Sequence, residues 1–93
     1  MVKKRDRLEV IYDILDLIRN NQNSIKPTPL LRKSNLSSQS FNEYIIELLD
    51  KKFVKEIENK KGRKHYTLSD KGFQYLEKYK KIISDQKQIL EDQ

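Results

Sequence analysis

The chain has 93 residues, of which 35% are hydrophobic and 37% are charged, and its twenty Lys and Arg against fourteen Asp and Glu give a net charge of +6. This length predicts one domain with a single modest core, and the absence of cysteine excludes disulfides and thiolate metal sites. We expect a soluble, cytoplasmic protein without a signal peptide or a membrane span, because acidic residues interrupt the first apolar segment and no apolar run is long enough.

The positive charge is concentrated in the first part of the chain. From Phe73 onward four lysines balance four acidic residues, so the whole excess lies in residues 1–72. This distribution predicts that residues 1–72 form a body that binds a polyanion, and that residues 73–93 form a helix with a different function. The alternative is a lysine-rich surface that only keeps the protein solvated.

Two helices are predicted before residue 35. The first extends from about Arg5 to Asn20, and its apolar residues recur three and four positions apart, at Leu8, Ile11, Ile14, Leu15 and Ile18. The asparagine-rich run after it predicts a turn. Thr28 is predicted as the N-cap of a short second helix, with Pro29 as its first residue and Ser34 near its end.

A third helix, a hairpin and a fourth helix follow. Ser37 is predicted to cap helix 3, which ends near Lys51 and turns inward Phe41, Tyr44, Ile45, Leu48 and Leu49. The segments "FVKEIE" and "KHYTL" alternate apolar and polar residues around a turn at residues 59–64, as in an antiparallel hairpin. Ser69 is predicted to cap helix 4, which has no helix breaker before Gln93.

This order predicts a winged helix-turn-helix, a mainly α fold with a two-stranded wing. The hairpin tip carries Lys60, Lys61, Arg63 and Lys64 and no acid. Such a tip can lie along phosphates while helix 3 enters the major groove of DNA. The alternative is that these charges only solvate an exposed turn.

The sequence also resembles the small archaeal winged-helix DNA-binding proteins, whose long last helix pairs two subunits in an antiparallel coiled coil. The resemblance covers about residues 5 to 80 and is carried by "LEVIYDIL", "PTPLLRKSNLS", "EYIIELLDKKFV" and "YTLSDKGFQYLEKY". It implies a homodimer that binds DNA in a chromatin-like or regulatory role, without catalysis. The family commonly has glycine between helix 3 and the first strand, where this chain has Lys52.

The candidate DNA contacts lie on the tip, helix 2, helix 3 and the N-terminus. Gln39 and Asn42 have the paired donor and acceptor that bracket an adenine edge, and no arginine of helix 3 is available for guanine, so we expect weak or shape-based sequence preference. Each group has an alternative role. The first residues of helix 3 could only cap that helix, and the basic residues at the end of helix 2 could only stabilise its dipole. The basic N-terminus could carry charge without binding DNA. The candidates are Lys4, Arg7, Arg32, Lys33, Ser38, Gln39, Ser40, Asn42, Lys60, Lys61, Arg63 and Lys64.

Helix 4 has the seam spacing of a coiled coil. The predicted dimer interface consists of Tyr75, Tyr79, Ile82, Ile83, Gln86, Ile89 and Leu90. A body of this size can cover only the first turns of so long a helix, so burial against a second copy is expected. The alternative is a frayed, partly helical tail.

No pattern indicates an enzyme. His65 is the only histidine, and no motif places a nucleophile beside a base, forms a Gly-rich phosphate loop or spaces metal ligands. The five tyrosines could serve as stacking platforms for single strands, but Tyr12, Tyr44 and Tyr66 fall in core-like patterns. The sequence therefore predicts a homodimeric double-stranded DNA-binding protein, regulatory or nucleoid-associated, without cofactor; the alternative is a winged-helix module that binds an acidic protein.

Overall fold

The computed structural model describes the backbone of residues 6–91 and the side chains of residues 6–82. Four helices and one two-stranded antiparallel sheet follow the predicted order, which confirms the winged helix fold. In chain order the elements are α1 Arg7–Asn20, α2 Pro27–Ser34, α3 Ser38–Asp50, β1 Val54–Glu58, β2 Lys64–Leu68 and α4 Asp70–Glu91.

Helix α1 provides the largest share of the core. Asp6 is its N-cap, and the Asp6 carboxylate accepts a hydrogen bond from the backbone N–H of Glu9 at 2.8 Å. The prediction that Leu8 belongs to the buried face is wrong, because Leu8 lies in the first turn and is 50% exposed. Val10 is buried instead, together with Ile11, Ile14, Leu15 and Ile18.

The segment between α1 and α2 connects the helices to the hairpin. Gln22 and Asn23 both adopt positive φ, at 60° and 54°, and the Asn23 side-chain oxygen accepts from the backbone N–H of Leu68 at 2.8 Å. Ile25 pairs antiparallel with Tyr66 through two backbone hydrogen bonds of 3.1 and 2.8 Å. A third chain segment thus lies beside β2 and fixes the hairpin to the body.

Helix α2 begins two residues earlier than predicted. Lys26 occupies the N-cap position, so the expectation of Thr28 as the cap is wrong. Both Pro27 and Pro29 fit in the first turn, because the first N–H groups of a helix have no intrahelical partner. The helix ends at Ser34, and the C-cap residue Asn35 has a left-handed φ of 63°.

Helix α3 begins and ends as its sequence indicates. The Ser37 hydroxyl accepts from the backbone N–H of Ser40 at 3.2 Å, which confirms the predicted cap. Phe41, Ile45 and Leu48 are buried, and Tyr44 and Leu49 are half-buried against the same core. After the helix, Lys52 has a φ of 65° where the similar family commonly has glycine.

The hairpin leads into α4 through a tightly packed junction. The strands pair from Val54 opposite Leu68 to Glu58 opposite Lys64. Ser69 caps α4, since its hydroxyl accepts from the backbone N–H of Gly72 at 3.1 Å and donates to the carbonyl of Lys52 at 2.5 Å. A Cβ at Gly72 would lie 2.2 Å from the Phe53 carbonyl oxygen, so this position requires glycine.

One hydrophobic core joins all four helices and both strands. Its fully buried large side chains are Ile14, Leu15, Ile18, Leu30, Leu48, Val54 and Leu76. The first turns of α4 therefore belong to the body, since Leu76 is completely enclosed and Phe73 packs at the margin of the core. Among the described residues, no helix is long and apolar enough to cross a membrane.

Candidate nucleic-acid interface

The turn of the wing, residues 59–63, is organised by one asparagine. The Asn59 side-chain oxygen accepts from the backbone N–H groups of Lys61 and Arg63, at 2.9 and 3.0 Å. The Asn59 backbone donates to Arg63 and accepts from Gly62, whose φ is 75°. Because the backbone is fixed by these four bonds, the basic side chains of the turn project from a defined loop.

Three of the four predicted tip cations can bind an external anion without first breaking an ion pair. Lys60, Lys61 and Arg63 are exposed, and no ion pair involves them within the described part of the chain. Lys64 differs, because its Nζ lies 3.6 Å from Glu56 across the hairpin. Within the hairpin tip, the charge that can bind an external anion therefore lies on Lys60, Lys61 and Arg63.

The outer face of α3 is polar at its start and acidic further on. Ser38, Gln39 and Asn42 are exposed, and Ser40 is half-buried. The helix contains no lysine or arginine. Ile46 is 66% exposed on the same face, whereas its neighbour Ile45 is buried, as predicted.

Arg7 is held by an acidic partner that the sequence did not predict. Its Nη2 donates to Glu47 Oε1 on α3, and Lys51 Nζ lies 3.8 Å from the same oxygen. The hydrogen bond lowers the pKa of Glu47 and raises the pKa of Arg7. Part of the charge of Arg7 is thus compensated within the body, in a shallow cleft that Ser40, Glu43 and Tyr44 also line.

The remaining basic candidates are Arg32, Lys33 and Lys4. Arg32 and Lys33 are exposed in the last turn of α2, beside the turn that leads to α3. Lys4 lies outside the described residues.

The exposed side of α4 carries a row of aromatic and aliphatic residues. Tyr75 packs against Phe53 with ring centroids 5.1 Å apart, and Tyr79 packs against Tyr12 at 5.3 Å. Burial raises the pKa of both Tyr75 and Tyr79, although both remain half-exposed. Ile82, one turn further along, is 52% exposed.

The other predicted seam residues lie outside the described side chains; they are Ile83, Gln86, Ile89 and Leu90.

His65 lies half-buried in β2, opposite Ile57 of β1. Within the described residues no group of three or more His, Asp or Glu side chains could hold a metal ion.

A curated relative matches most of this chain. It is the uncharacterized protein MJ0290 of Methanocaldococcus jannaschii, 33% identical over 80 residues, which cover 86% of this chain and 35% of the relative. The chain thus spans about a third of the length of the curated relative that it matches.

Two solved structures have the same fold. Sso10a-2, a DNA-binding protein from Sulfolobus solfataricus, aligns with a TM-score of 0.75 and 18% identity over 95% of this chain and 88% of its own. F93 from the virus STIV, a winged-helix DNA-binding protein, aligns with a TM-score of 0.73 and 23% identity over 86% and 91% of the two chains. These similarities confirm the predicted resemblance to small winged-helix proteins. The model of the winged helix-turn-helix family matches residues 4–87, and the chain therefore belongs to that family.

Proposed function

We propose that this protein binds double-stranded DNA as a homodimer, in a regulatory or nucleoid-associated architectural role and without catalysis. The observation that carries the proposal is the group of unpaired cations at residues 60–63, held on a fixed turn at the edge of a winged helix body. The solved structures Sso10a-2 and F93 are described as DNA-binding proteins, which supports the same role here.

The wing and α3 have different parts in this proposal. Lys60, Lys61 and Arg63 contact phosphates, which position the protein on the duplex but carry no base information. Lys64, Arg32 and Lys33 contribute phosphate contacts further out, and Lys4 and Arg7 extend the basic surface from the N-terminus.

The start of α3 faces the major groove. Gln39 and Asn42 read base edges, while Ser38 and Ser40 contact the backbone of the DNA. Because α3 has no basic residue, sequence preference is weak and most of the affinity is electrostatic.

The second subunit is proposed to pack along the exposed side of α4. Ile82 lies one turn beyond the aromatic pair formed by Tyr12 and Tyr79, and it is 52% exposed. A helix that continues to Glu91 has about 13 Å more axis after Ile82. An antiparallel copy would bury this side and link two DNA-binding bodies.

A competition experiment separates this function from the binding of an acidic protein partner. A fluorescent 30-base-pair duplex of mixed sequence is bound at low salt and challenged with unlabelled duplex, or with polyglutamate of equal total charge. We expect the duplex to displace the label at much lower concentration, because groove shape and phosphate spacing add to net charge. Displacement by polyglutamate at equal or lower concentration would contradict DNA as the partner and would favour an acidic protein.

A further inference from the structure

Ile46 occupies an unusual position on α3. Of the large hydrophobic side chains described as exposed, it is the most open, at 66%, against 50% for Leu8, 52% for Ile82 and 43% for Ile57. A single exposed apolar residue is ordinary on a protein surface. The position of Ile46 is what distinguishes it, because it shares the outer face of α3 with the residues proposed to meet base edges.

Helical geometry places Ile46 in line with those residues. It follows Asn42 by four positions and Gln39 by seven, and both separations return to the same side of a helix. Both of these polar residues are exposed. The distance from Gln39 to Ile46 along the axis is about 10 Å, so the two side chains can reach different base pairs of one groove.

The chemistry of this face suits base edges better than phosphates. Gln39 and Asn42 offer amides, Ile46 an apolar group and Glu43 a carboxylate, and the helix contains no lysine or arginine. A carboxylate repels phosphate oxygens, whereas an amide can bracket adenine and an apolar side chain can contact the C5-methyl of thymine. The only apolar group that a base pair presents in the major groove is that methyl.

We propose that Ile46 is a specificity-determining residue that packs against the thymine methyl group and gives the protein a preference for A·T-rich duplexes. This inference rests on the proposed function, since it requires α3 to lie in the major groove. The amides of Gln39 and Asn42 would read adenine on neighbouring pairs, so the three side chains select the same base composition.

The test replaces thymine by uracil, which removes the methyl and keeps every Watson–Crick and major-groove hydrogen-bonding atom. Affinities of the wild-type protein are measured for an alternating A·T duplex, for the same duplex with uracil, and for a G·C duplex. We expect the thymine duplex to bind about fourfold more tightly than the uracil duplex for each methyl contacted.

Two variants show whether Ile46 is responsible. In Ile46→Ser the thymine-to-uracil ratio should fall to about one, because serine has no apolar group that can pack against the methyl. Leu8→Ser is the matched control, since Leu8 is also exposed and helical but lies on α1, and it should keep the wild-type ratio. Circular dichroism and sedimentation check that both variants keep their helical content and mass.

The possible failures are distinguishable. A wild-type ratio of one, or a ratio that survives in Ile46→Ser, would overturn the role of Ile46 while leaving DNA binding intact. A change of mass in Ile46→Ser would also overturn it, because Ile46 would then belong to a protein interface. Absence of binding to all three duplexes at low salt would instead overturn the proposed function itself.

Discussion

At the scale of single residues, the structure contains two adjacent lysines in opposite backbone conformations. Lys51 caps the C-terminus of α3 with a φ of −81°, and Lys52 follows with a φ of 65°. The left-handed conformation is unfavourable for a residue with a Cβ and is adopted freely by glycine. Ser69 donates to the Lys52 carbonyl, so this backbone is held in place by the start of α4.

Lys52→Gly is expected to stabilise the protein by about 0.5 to 1 kcal/mol, because relief of the left-handed strain exceeds the entropy that glycine adds to the unfolded chain. Lys51→Gly is the matched control and should destabilise by about 0.4 to 1 kcal/mol, because residue 51 has a negative φ and glycine there only adds entropy to the unfolded chain. Urea unfolding at one fixed protein concentration measures both. Equal destabilisation by the two substitutions would contradict the conformation assigned to Lys52.

The Arg7–Glu47 pair predicts a dependence of stability on pH. The hydrogen bond from Arg7 holds the pKa of Glu47 below its ordinary value of 4.5. A depressed pKa means that the contribution to stability is present above the unfolded value and is lost as the pH falls through the folded value. Glu47→Gln should therefore be less stable than the wild type near neutral pH and should lose less stability on acidification.

Thermal unfolding between pH 2 and pH 7 measures this difference, and Glu43→Gln serves as control because Glu43 is exposed on the same helix. An identical pH profile for wild type and Glu47→Gln would show that the pair does not influence folding.

At the scale of secondary-structure elements, the sequence predicts much of the fold because helix caps and apolar spacing are local signals. Ser37 and Ser69 cap the helices where expected. The start of α2 was predicted wrongly, because Pro27, Thr28 and Pro29 all suit the first turn of a helix and the sequence does not show which of them comes first. The isolated pairing of Ile25 with Tyr66 joins residues far apart in sequence and leaves no local signal.

The candidate site was predicted less completely than the fold. The cationic tip of the wing was visible as a charge cluster, but Asn59, which fixes its backbone, was not predicted as an organising residue. The Glu47 partner of Arg7 is separated from it by forty residues, so no spacing rule connects the two. The inward position of Ile45 was predicted from helical spacing, and the exposure of its neighbour Ile46 agrees with it.

The wing is expected to act as a phosphate-binding element. Replacing Lys60, Lys61 and Arg63 by alanine should weaken binding about equally on all duplex sequences and flatten the slope of log affinity against log salt concentration by about 0.9 for each phosphate that is no longer neutralised. The matched control replaces the three exposed lysines of α4, Lys78, Lys80 and Lys81, which removes the same charge elsewhere. If both triple variants weaken binding equally, net charge alone matters and the wing has no special role.

At the scale of the whole molecule, the body and the end of α4 are proposed to have separate tasks, DNA binding and dimerisation. Leu76 and Phe73 join α4 to the core, whereas Ile82 is 52% exposed and does not belong to the core. A substitution at Ile82 can therefore affect association without affecting the fold of the body.

Ile82→Lys is expected to give a folded monomer with much weaker DNA binding. Burying one isoleucine contributes about 1.5 to 3 kcal/mol, and a symmetric dimer loses this contribution twice. Two linked bodies also gain affinity through effective concentration when both engage one duplex. Sedimentation equilibrium gives the mass, with Gln74→Lys as an exposed α4 control. A wild-type monomer at tens of micromolar, or a fully dimeric Ile82→Lys protein, would contradict the proposed interface.

The central claim, that this winged helix binds duplex DNA mainly through phosphate contacts, is tested most directly by the salt dependence of its affinity. Anisotropy titrations of a mixed-sequence duplex between 50 and 200 mM salt give log K against log salt concentration. If a dimer neutralises about six to ten phosphates, the plot is linear and affinity falls roughly 10³ to 10⁵-fold across this range. Binding that does not change with salt, or no binding at 50 mM, would contradict the claim.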